Sequence, residues 1–507
     1  MLSCGESNND NAKSLQVEES LLPEQVESLD SLPFMNLKDR MAYYKVPGIA
    51  WSIIEEDSIV ESRFFGYRDL EGRKPIDENT LFQSASTGKS LTATLALILV
   101  NEGLLDLDGS INERLKSWKI PPSEYTRETP ITLRHLLSHT AGLSTHGFDG
   151  YAKTEPLPTI HQILNGAYPA NSEKVISLRQ PGERFNYSGG GYQVIQLLIE
   201  EVTGRPFVNV AEDRLLKPLG LKNTFWTPQL SYPLEKRASN EFHKGNTMLP
   251  GGWYNLVSHG AGGGLWTTPE DLATFIITLD KSTEGSTPIV ISTYLAKEMQ
   301  TKQAPDKEFG LGLFLDQEKD YKAIYHPGGN MGFRTMLYYI PSSKQGIAIM
   351  ANSDNAWYLI PEIMRAASHV YDWPSYKPEV KVEKNLSVNA IRAYERDNNI
   401  DGLENLIKQY DQTSKRGKVY DEISAYGASN YLIWRMDRAI AVFDVMNRSY
   451  PDSLDTHINL GMAHRRWEDF ERALEVFRRA QALAPDDDFI RDKIVELREK
   501  VSPIDVP

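Results

Sequence analysis

Cysteine is almost absent from this 507-residue chain: Cys4 is the only one, which excludes an internal disulfide framework and any zinc site built on cysteines. A long apolar run is missing too. The most apolar stretch, 91–100, has about half of the ~20 residues a bilayer-crossing helix needs, and reads instead as a buried helix. Basic residues are in deficit, 55 Lys and Arg against 69 Asp and Glu, and the formal charge of -14 argues against nucleic acid, whose phosphates demand a basic face. Such acidity fits a soluble protein. Hydrophobic residues make up 40% of the chain, enough over this length for two or three domains and a sizeable core.

Residues 1–33 are rich in Glu, Ser and Asn without strong periodicity, and are expected to form a flexible leader or tether, with the fold beginning near Pro33. Within them Leu2-Ser3-Cys4-Gly5 resembles the end of a bacterial lipobox, although the charged and apolar parts of such a signal are missing. A lipid anchor at Cys4 is the one membrane contact expected; the alternative is an exposed cysteine. Two β-rich runs, 48–55 (GIAWSIIE) and 59–67 (IVESRFFGY), are joined by a short polar turn and predict a hairpin. A second hairpin is predicted from 333–340 (FRTMLYYI) and 346–352 (GIAIMAN), across Pro341-Ser342-Ser343-Lys344. Helical patterns such as 194–202 and 269–279 lie between them. The economical solution is an α+β domain over 34–376: one antiparallel sheet holding both hairpins, flanked by helices, with a mainly helical subdomain.

Beyond 376 the chain becomes helical and rich in charge. Gly427, Ala439, Phe443 and Pro451 recur 34 residues later as Gly461, Ala473, Phe477 and Pro485. That period, with small and aromatic residues at those offsets, resembles the tetratricopeptide repeat of paired antiparallel helices. Upstream, 388–412 looks like a degenerate helical pair completing the stack. The expectation for 377–507 is an all-α repeat domain with a protein or peptide partner; the repeat positions serve packing and name no ligand.

Residues 84–90 read SASTGKS, whose end looks like a phosphate-binding loop. The P-loop pattern needs a glycine five positions before Gly88, where this chain has Gln83. Ser86-Thr87-Gly88-Lys89 fits S-x-x-K instead, the nucleophile signature of penicillin-recognising serine enzymes. The following LTATLALILV is apolar nearly all round, so Ser86 is predicted to begin a buried helix with Lys89 on the same face. The helix N-terminus adds partial positive charge and free N–H groups, useful to a developing oxyanion. Downstream, 181–192 (PGERFNYSGGGY) sets Tyr187 beside three glycines that permit close backbone approach, and 326–333 (HPGGNMGF) precedes a predicted strand.

In order and approximate separation these segments resemble the class C β-lactamase and related serine hydrolase family, which includes carboxylesterases and D-amino-acid peptidases. The resemblance covers about 33–373 and takes in 131–143 (ITLRHLLSHTAGL) and 262–275 (GGGLWTTPEDLATF). It implies that Ser86 attacks a carbonyl, that Lys89 and Tyr187 handle its proton as general acid and base, and that 326–329 line the site, with an acyl-enzyme then hydrolysed by water. It further implies oxyanion donors at the N–H groups of Ser86 and Gly329. Physically, the Lys89 ammonium is expected to favour a phenolate at Tyr187.

Two departures shape the substrate expectation. Where many relatives have Tyr-x-Asn this chain has Tyr187-Ser188-Gly189, without an amide to orient the substrate. Where Lys-Thr-Gly is common it has His326-Pro327-Gly328, and an unperturbed histidine (pKa ~6.5) is mostly neutral at neutral pH. Arg334 is the candidate replacement cation. Ser86, Lys89, Tyr187 and His326 are therefore the catalytic set, and Gly189, Gly328, Gly329 and Arg334 the substrate-binding set, with no cofactor and no metal. His135 and His139, four apart on a predicted helix, lack the glutamate of a zinc protease, having Leu136 there. Trp253, Tyr254 and Trp266 either line the pocket or pack the core. The reading is a bacterial cell-envelope serine hydrolase of small esters or amides; the alternatives are a β-lactamase or D-amino-acid peptidase, and a non-catalytic peptide-binding protein using the repeats.

Overall fold

The computed structural model describes residues 16–26, 28–29, 31–242, 256, 260–285, 291–318, 320–380 and 385–501; Cys4, Trp253 and Tyr254 lie outside them. The chain divides into two compact units, with a boundary between Glu379 and Val380. Among the described residues no helix is long and apolar enough to cross a membrane.

The first unit is built on a seven-stranded antiparallel sheet. Its strands are β1 (Gly48–Glu55), β2 (Ser58–Asp69), β3 (Lys74–Pro75), β4 (Phe314–Gln317), β5 (Lys322–Asn330), β6 (Phe333–Ile340) and β7 (Gln345–Ala351). In space the order is β3-β2-β1-β7-β6-β5-β4, so the two hairpins expected from sequence share one sheet, with β7 against β1. Both faces are covered, which is why the central strands are apolar runs rather than alternations. Ile49, Trp51 and Ile53 face the cluster that contains Ile360, Ile363 and Met364 of helix Ala356–Val370. Ala50 and Ile54 face the larger cluster with the rest of the helices.

That larger cluster holds α1 (Gly88–Asn101), α2 (Gly189–Thr203) and α3 (Pro269–Glu284). Every residue of α1 from Gly88 to Leu99 is buried, as its sequence predicts, and its hydroxyls are satisfied internally: Ser90 Oγ donates to Gly312 O at 2.8 Å and Thr92 Oγ1 to Ala261 O at 2.9 Å. α2 starts at its N-cap Ser188, whose Oγ accepts from Gly191 N–H at 3.1 Å, and ends at Gly204 with φ +66°.

The N-terminal stretch corrects the tether expectation over its described part. Val17 and Leu21 are fully buried in the sheet-and-helix cluster, and Leu21 exchanges backbone hydrogen bonds with Met35 at 2.9 and 3.0 Å. Glu18, Glu19 and Ser20 between them mask an apolar pair four residues apart, one helical turn.

The second unit is all-helical: Val388–Asp397, Asp401–Tyr410, Arg416–Leu432, Met436–Ser449, Leu454–Arg466, Phe470–Leu483 and Asp488–Val501. The 34-residue period reappears as geometry. A Cβ on Gly427 would lie 2.6 Å from Phe443 Cε1, and one on Gly461 2.8 Å from Phe477 Cε2, so each glycine lets one helix close onto the phenylalanine of the next. Gly461→Leu is expected to destabilise this unit by about 1–3 kcal/mol through overpacking. Denaturant unfolding followed by circular dichroism measures it; an unchanged midpoint for the helical signal would contradict the packing role.

Candidate active site

A short three-stranded sheet (Phe82–Gln83, Leu265–Thr267, Phe225–Trp226) delivers the chain to Ser86, with Ser84 N–H bonded to Leu265 O at 2.8 Å. Ser86 lies in a 3-10 turn, Ala85–Thr87, and α1 proper begins two residues later at Gly88. Ala85 carries φ +51°, an unfavourable conformation for a residue with a side chain, held next to Ser86. The tight turn still puts residue i+3 over residue i. Lys89 Nζ donates to Ser86 Oγ at 3.2 Å and also to the carbonyl of Gly262.

Lys89 is 3% exposed, and among the described residues no carboxylate pairs with it. Burial alone pulls its pKa down to about 7. Tyr187 is buried beside it, Lys89 Nζ sitting 5.1 Å from the ring centroid. Here the electrostatic expectation is corrected. Burial pushes the Tyr187 phenol well above its ordinary pKa, and only the nearby Ser86 hydroxyl opposes that. Of the pair, the desolvated amine is the one that is unprotonated near neutrality, and the phenol stays protonated. Its hydroxyl makes no aligned hydrogen bond.

β4 pairs with β5 only from Lys322 to Tyr325, so 326–330 extend past it and face the Ser86 turn. Thr87 Oγ1 donates to His326 O at 3.2 Å, tying the strand to that turn. His326 is fully buried; its Nδ1–H donates to Pro327 O at 2.7 Å, leaving Nε2 as an unpaired acceptor. Burial, then the charge on Lys89, push its pKa down to about 3, so it is neutral at all working pH. Gly328 differs from expectation. It does not line the cavity; a Cβ there would lie 2.3 Å from Ser84 O and 2.8 Å from Thr87 Oγ1, so its role is to let β5 touch the Ser86 turn.

Ser86, Tyr187, His326, Gly329 and Arg334 line one cavity of about 750 Å³, with Phe148, Phe185, Phe314, Met331 and Trp357 supplying apolar wall. A deeper recess adds Lys89, Gly189 and Gly262. At Gly189 a Cβ would meet Phe148 Cε2 at 3.0 Å and His146 O at 3.1 Å, so an asparagine there has no room while Phe148 stands in place. Arg334 reaches the cavity but is not a free cation: its Nη2 pairs with Asp354 Oδ1 at 2.7 Å, and Nη1 donates to Phe333 O at 2.7 Å.

Several site residues were not singled out in the sequence. Asn330 lines the cavity with its amide nitrogen held by Gln83 Oε1 at 2.7 Å and Gly263 O at 3.2 Å; its place four residues past His326 was the available signal. Asp354 sits beyond β7 with no local signature. His135 and His139 do not share a helix face, because the helix is Leu133–Leu137 and His139 follows it at φ +57°. Trp266 packs in the core, 1% exposed.

A family model described as Beta-lactamase matches residues 36–370. Protein flp of Staphylococcus aureus is 22% identical over 328 residues, 63% of this chain and 62% of that protein, so the match spans less than two thirds of that relative. The octameric penicillin-binding protein homologue from Pyrococcus abyssi, at 25% identity, aligns with a TM-score of 0.57 over 71% of this chain and 80% of its own. D-amino acid amidase from Ochrobactrum anthropi, at 20% identity, shares the fold with a TM-score of 0.55 over 73% of this chain and 99% of its own. With the model match taking in Ser86, Lys89, Tyr187 and the whole of the seven-stranded sheet, the chain belongs to the beta-lactamase family of serine hydrolases.

Proposed function

We propose that this protein hydrolyses a small, uncharged ester or amide through an acyl-enzyme on Ser86. The observation that carries the reading is the Lys89 amine, 3.2 Å from Ser86 Oγ, with its pKa drawn down to about 7 by burial. At neutral pH about half of such amines are unprotonated and competent to accept the serine proton, against fewer than one in a thousand for a free lysine.

In this reading Ser86 Oγ attacks the carbonyl carbon as its proton passes to Lys89 Nζ. The tetrahedral oxyanion is held by the N–H groups of Ser86 and Gly329. Tyr187, protonated, stands beside Lys89 and hands a proton to the leaving group as the carbon–leaving-group bond breaks, and regains one from Lys89. Water then attacks the acyl carbon as it gives a proton to the neutral Lys89 Nζ, and that proton passes to Ser86 Oγ as the carbon–Oγ bond breaks and the acid departs. His326 lines the cavity as a neutral acceptor rather than as a proton carrier, which revises its expected catalytic role.

Preference for an uncharged substrate follows from the cavity's electrostatics. The lysine of Lys-Thr-Gly is replaced by neutral His326, and Arg334 is already paired with Asp354. Among the described residues, a free carboxylate on a β-lactam or peptide finds no unpaired buried cation in the cavity beyond Lys89, about half of which is neutral at pH 7, and otherwise meets the exposed Lys307. The relatives, a penicillin-binding protein homologue and a D-amino acid amidase among them, favour amides and penicillins as the second reading, carried by the shared family. We further propose a cell-envelope location and a tetratricopeptide-like role for the helical unit in binding a peptide or protein; lipidation of Cys4 belongs with the former.

Turnover of a short-chain nitrophenyl ester, a D-amino-acid amide and a chromogenic cephalosporin, by wild type and Ser86→Ala, tests the reading. Ester turnover lost by at least about 10³-fold in Ser86→Ala is expected; equal rates in both proteins would exclude Ser86 as nucleophile, and faster cephalosporin than ester turnover would favour the second reading. Asp354→Asn leaves Arg334 unpaired, and is expected to raise cephalosporin relative to ester turnover by about tenfold, the equivalent of ~1.4 kcal/mol. An unchanged ratio would remove Arg334 from the account of specificity.

A further inference from the structure

His139 is not part of the proton path described above, yet it holds the segment carrying Tyr187 at three points. Its backbone carbonyl accepts from Asn186 N–H at 2.7 Å. Its ring Nδ1 accepts from Ser188 N–H at 3.1 Å. Between these two anchors its ring lies against the Tyr187 ring, centroids 4.1 Å apart and planes inclined by 33°. One residue therefore brackets 186, 187 and 188 in turn.

We propose that His139 is a positioning residue that fixes the tilt and depth of the Tyr187 phenol against Ser86 and Lys89. The proposal rests on the proton-handling role assigned to Tyr187. Several features of the surroundings show why the position takes a histidine. An imidazole offers a flat face for the phenol and, in the same plane, an acceptor for a backbone N–H; phenylalanine has no acceptor and asparagine has no ring. Because Ser188 donates to Nδ1, the proton resides on Nε2, and the ring is the neutral tautomer. Its box supports that state: Tyr192 and Phe309 stand at 5.2 and 5.3 Å, Phe185 edge-on at 5.8 Å, and burial together with Lys89 keeps it from protonating. His139 is itself locked at φ +57°, which aims its carbonyl and its ring toward the same strand of chain.

The rest of the segment after His139 repeats the grip at lower precision. Thr140 O accepts from Gly182 N–H at 2.8 Å, Leu143 O from Asn186 Nδ2 at 2.7 Å, and Ser144 O from Ser188 Oγ at 2.7 Å. These contacts set the backbone of 182–188; His146 also approaches the phenol, ring centroids 5.1 Å apart with its Nδ1 3.2 Å from Tyr187 O, but His139 lies nearer, at 4.1 Å, and is the ring that also accepts from Ser188 N–H. A ring freed from its stack can rotate by an ångström or so, and misplacement of that size is worth up to about 100-fold in rate.

The test is a double-mutant cycle of His139→Phe and Tyr187→Phe, read as kcat and KM on the nitrophenyl ester beside a melting curve for each protein. His139→Phe is expected to lower kcat by about 10- to 100-fold with KM within about twofold. In the Tyr187→Phe background the same substitution is expected to change kcat by no more than about twofold, because there is no hydroxyl left to place. An equal fold-loss in both backgrounds, or no loss in the first, would overturn the positioning role while leaving Tyr187 in place. If Tyr187→Phe alone is as active as wild type, the role of Tyr187 falls and the positioning role with it. Should His139→Phe fail to fold, His139→Asn, whose side-chain oxygen keeps the Ser188 contact without the ring, is carried through the same cycle with the same two readings.

Discussion

Lys89 is buried without a carboxylate, and the rest of the site depends on that. Among the described residues an ammonium so placed has Ser86 Oγ and the Gly262 carbonyl as hydrogen-bond partners, with the Tyr187 and Tyr192 rings beside it, in place of its hydration, so the fold shifts it toward the neutral amine. A fall from 10.5 to about 7 corresponds to something on the order of 5 kcal/mol of lost preference for the charged form. The same shift couples stability to pH. Between about 7 and 10.5 the unfolded chain keeps a proton that the folded chain has released, so stability rises with pH across that window. The site thereby gives up stability at neutral pH in order to hold a base of useful strength.

The neighbours follow from this placement. A second charge beside a desolvated lysine is unfavourable, and two of the nearby histidines, His139 and His326, are held neutral by burial with Lys89 adding to the effect. Tyr187 stays protonated for the same desolvation reason. Charge lies farther out, in the Arg334–Asp354 pair beside Trp357 and in Asp149 and Lys307 on the same cavity wall. Apart from Lys89 itself, the protein thus sets uncharged groups, Tyr187, His139 and His326, closest to Ser86, a setting suited to an uncharged carbonyl substrate in the proposed reaction.

Local regularities were legible in the sequence. Ser86 and Lys89 meet because three residues make one turn, whatever the helix packs against, and the two hairpins announce themselves by β-rich runs around short polar turns. The 34-residue recurrence was readable as composition and returns as the same glycine-on-phenylalanine contact in two places. What could not be read was set by distant segments. Asp354 cancels Arg334 across a strand and a loop, and Gly328 turned from a lining residue into a close-packing one because β5 runs against Ser84. The direction of the Tyr187 shift was misjudged because proximity to a cation was visible in the motif order, whereas near-complete burial was not. Val17 and Leu21 were hidden among acidic residues and found their partners on a sheet begun thirty residues later.

The central claim is that a lysine made neutral by burial activates Ser86. Its most direct test is the pH dependence of the rate at which Ser86 is acylated by an uncharged nitrophenyl ester, measured as the pre-steady-state release of nitrophenol from pH 5 to 10. The account predicts a rate that rises through a single ionisation near 7, where Lys89 loses its proton, and levels off above it. A rate that is flat through neutrality and climbs only toward pH ~10, as an ordinary lysine or tyrosine would give, would contradict it.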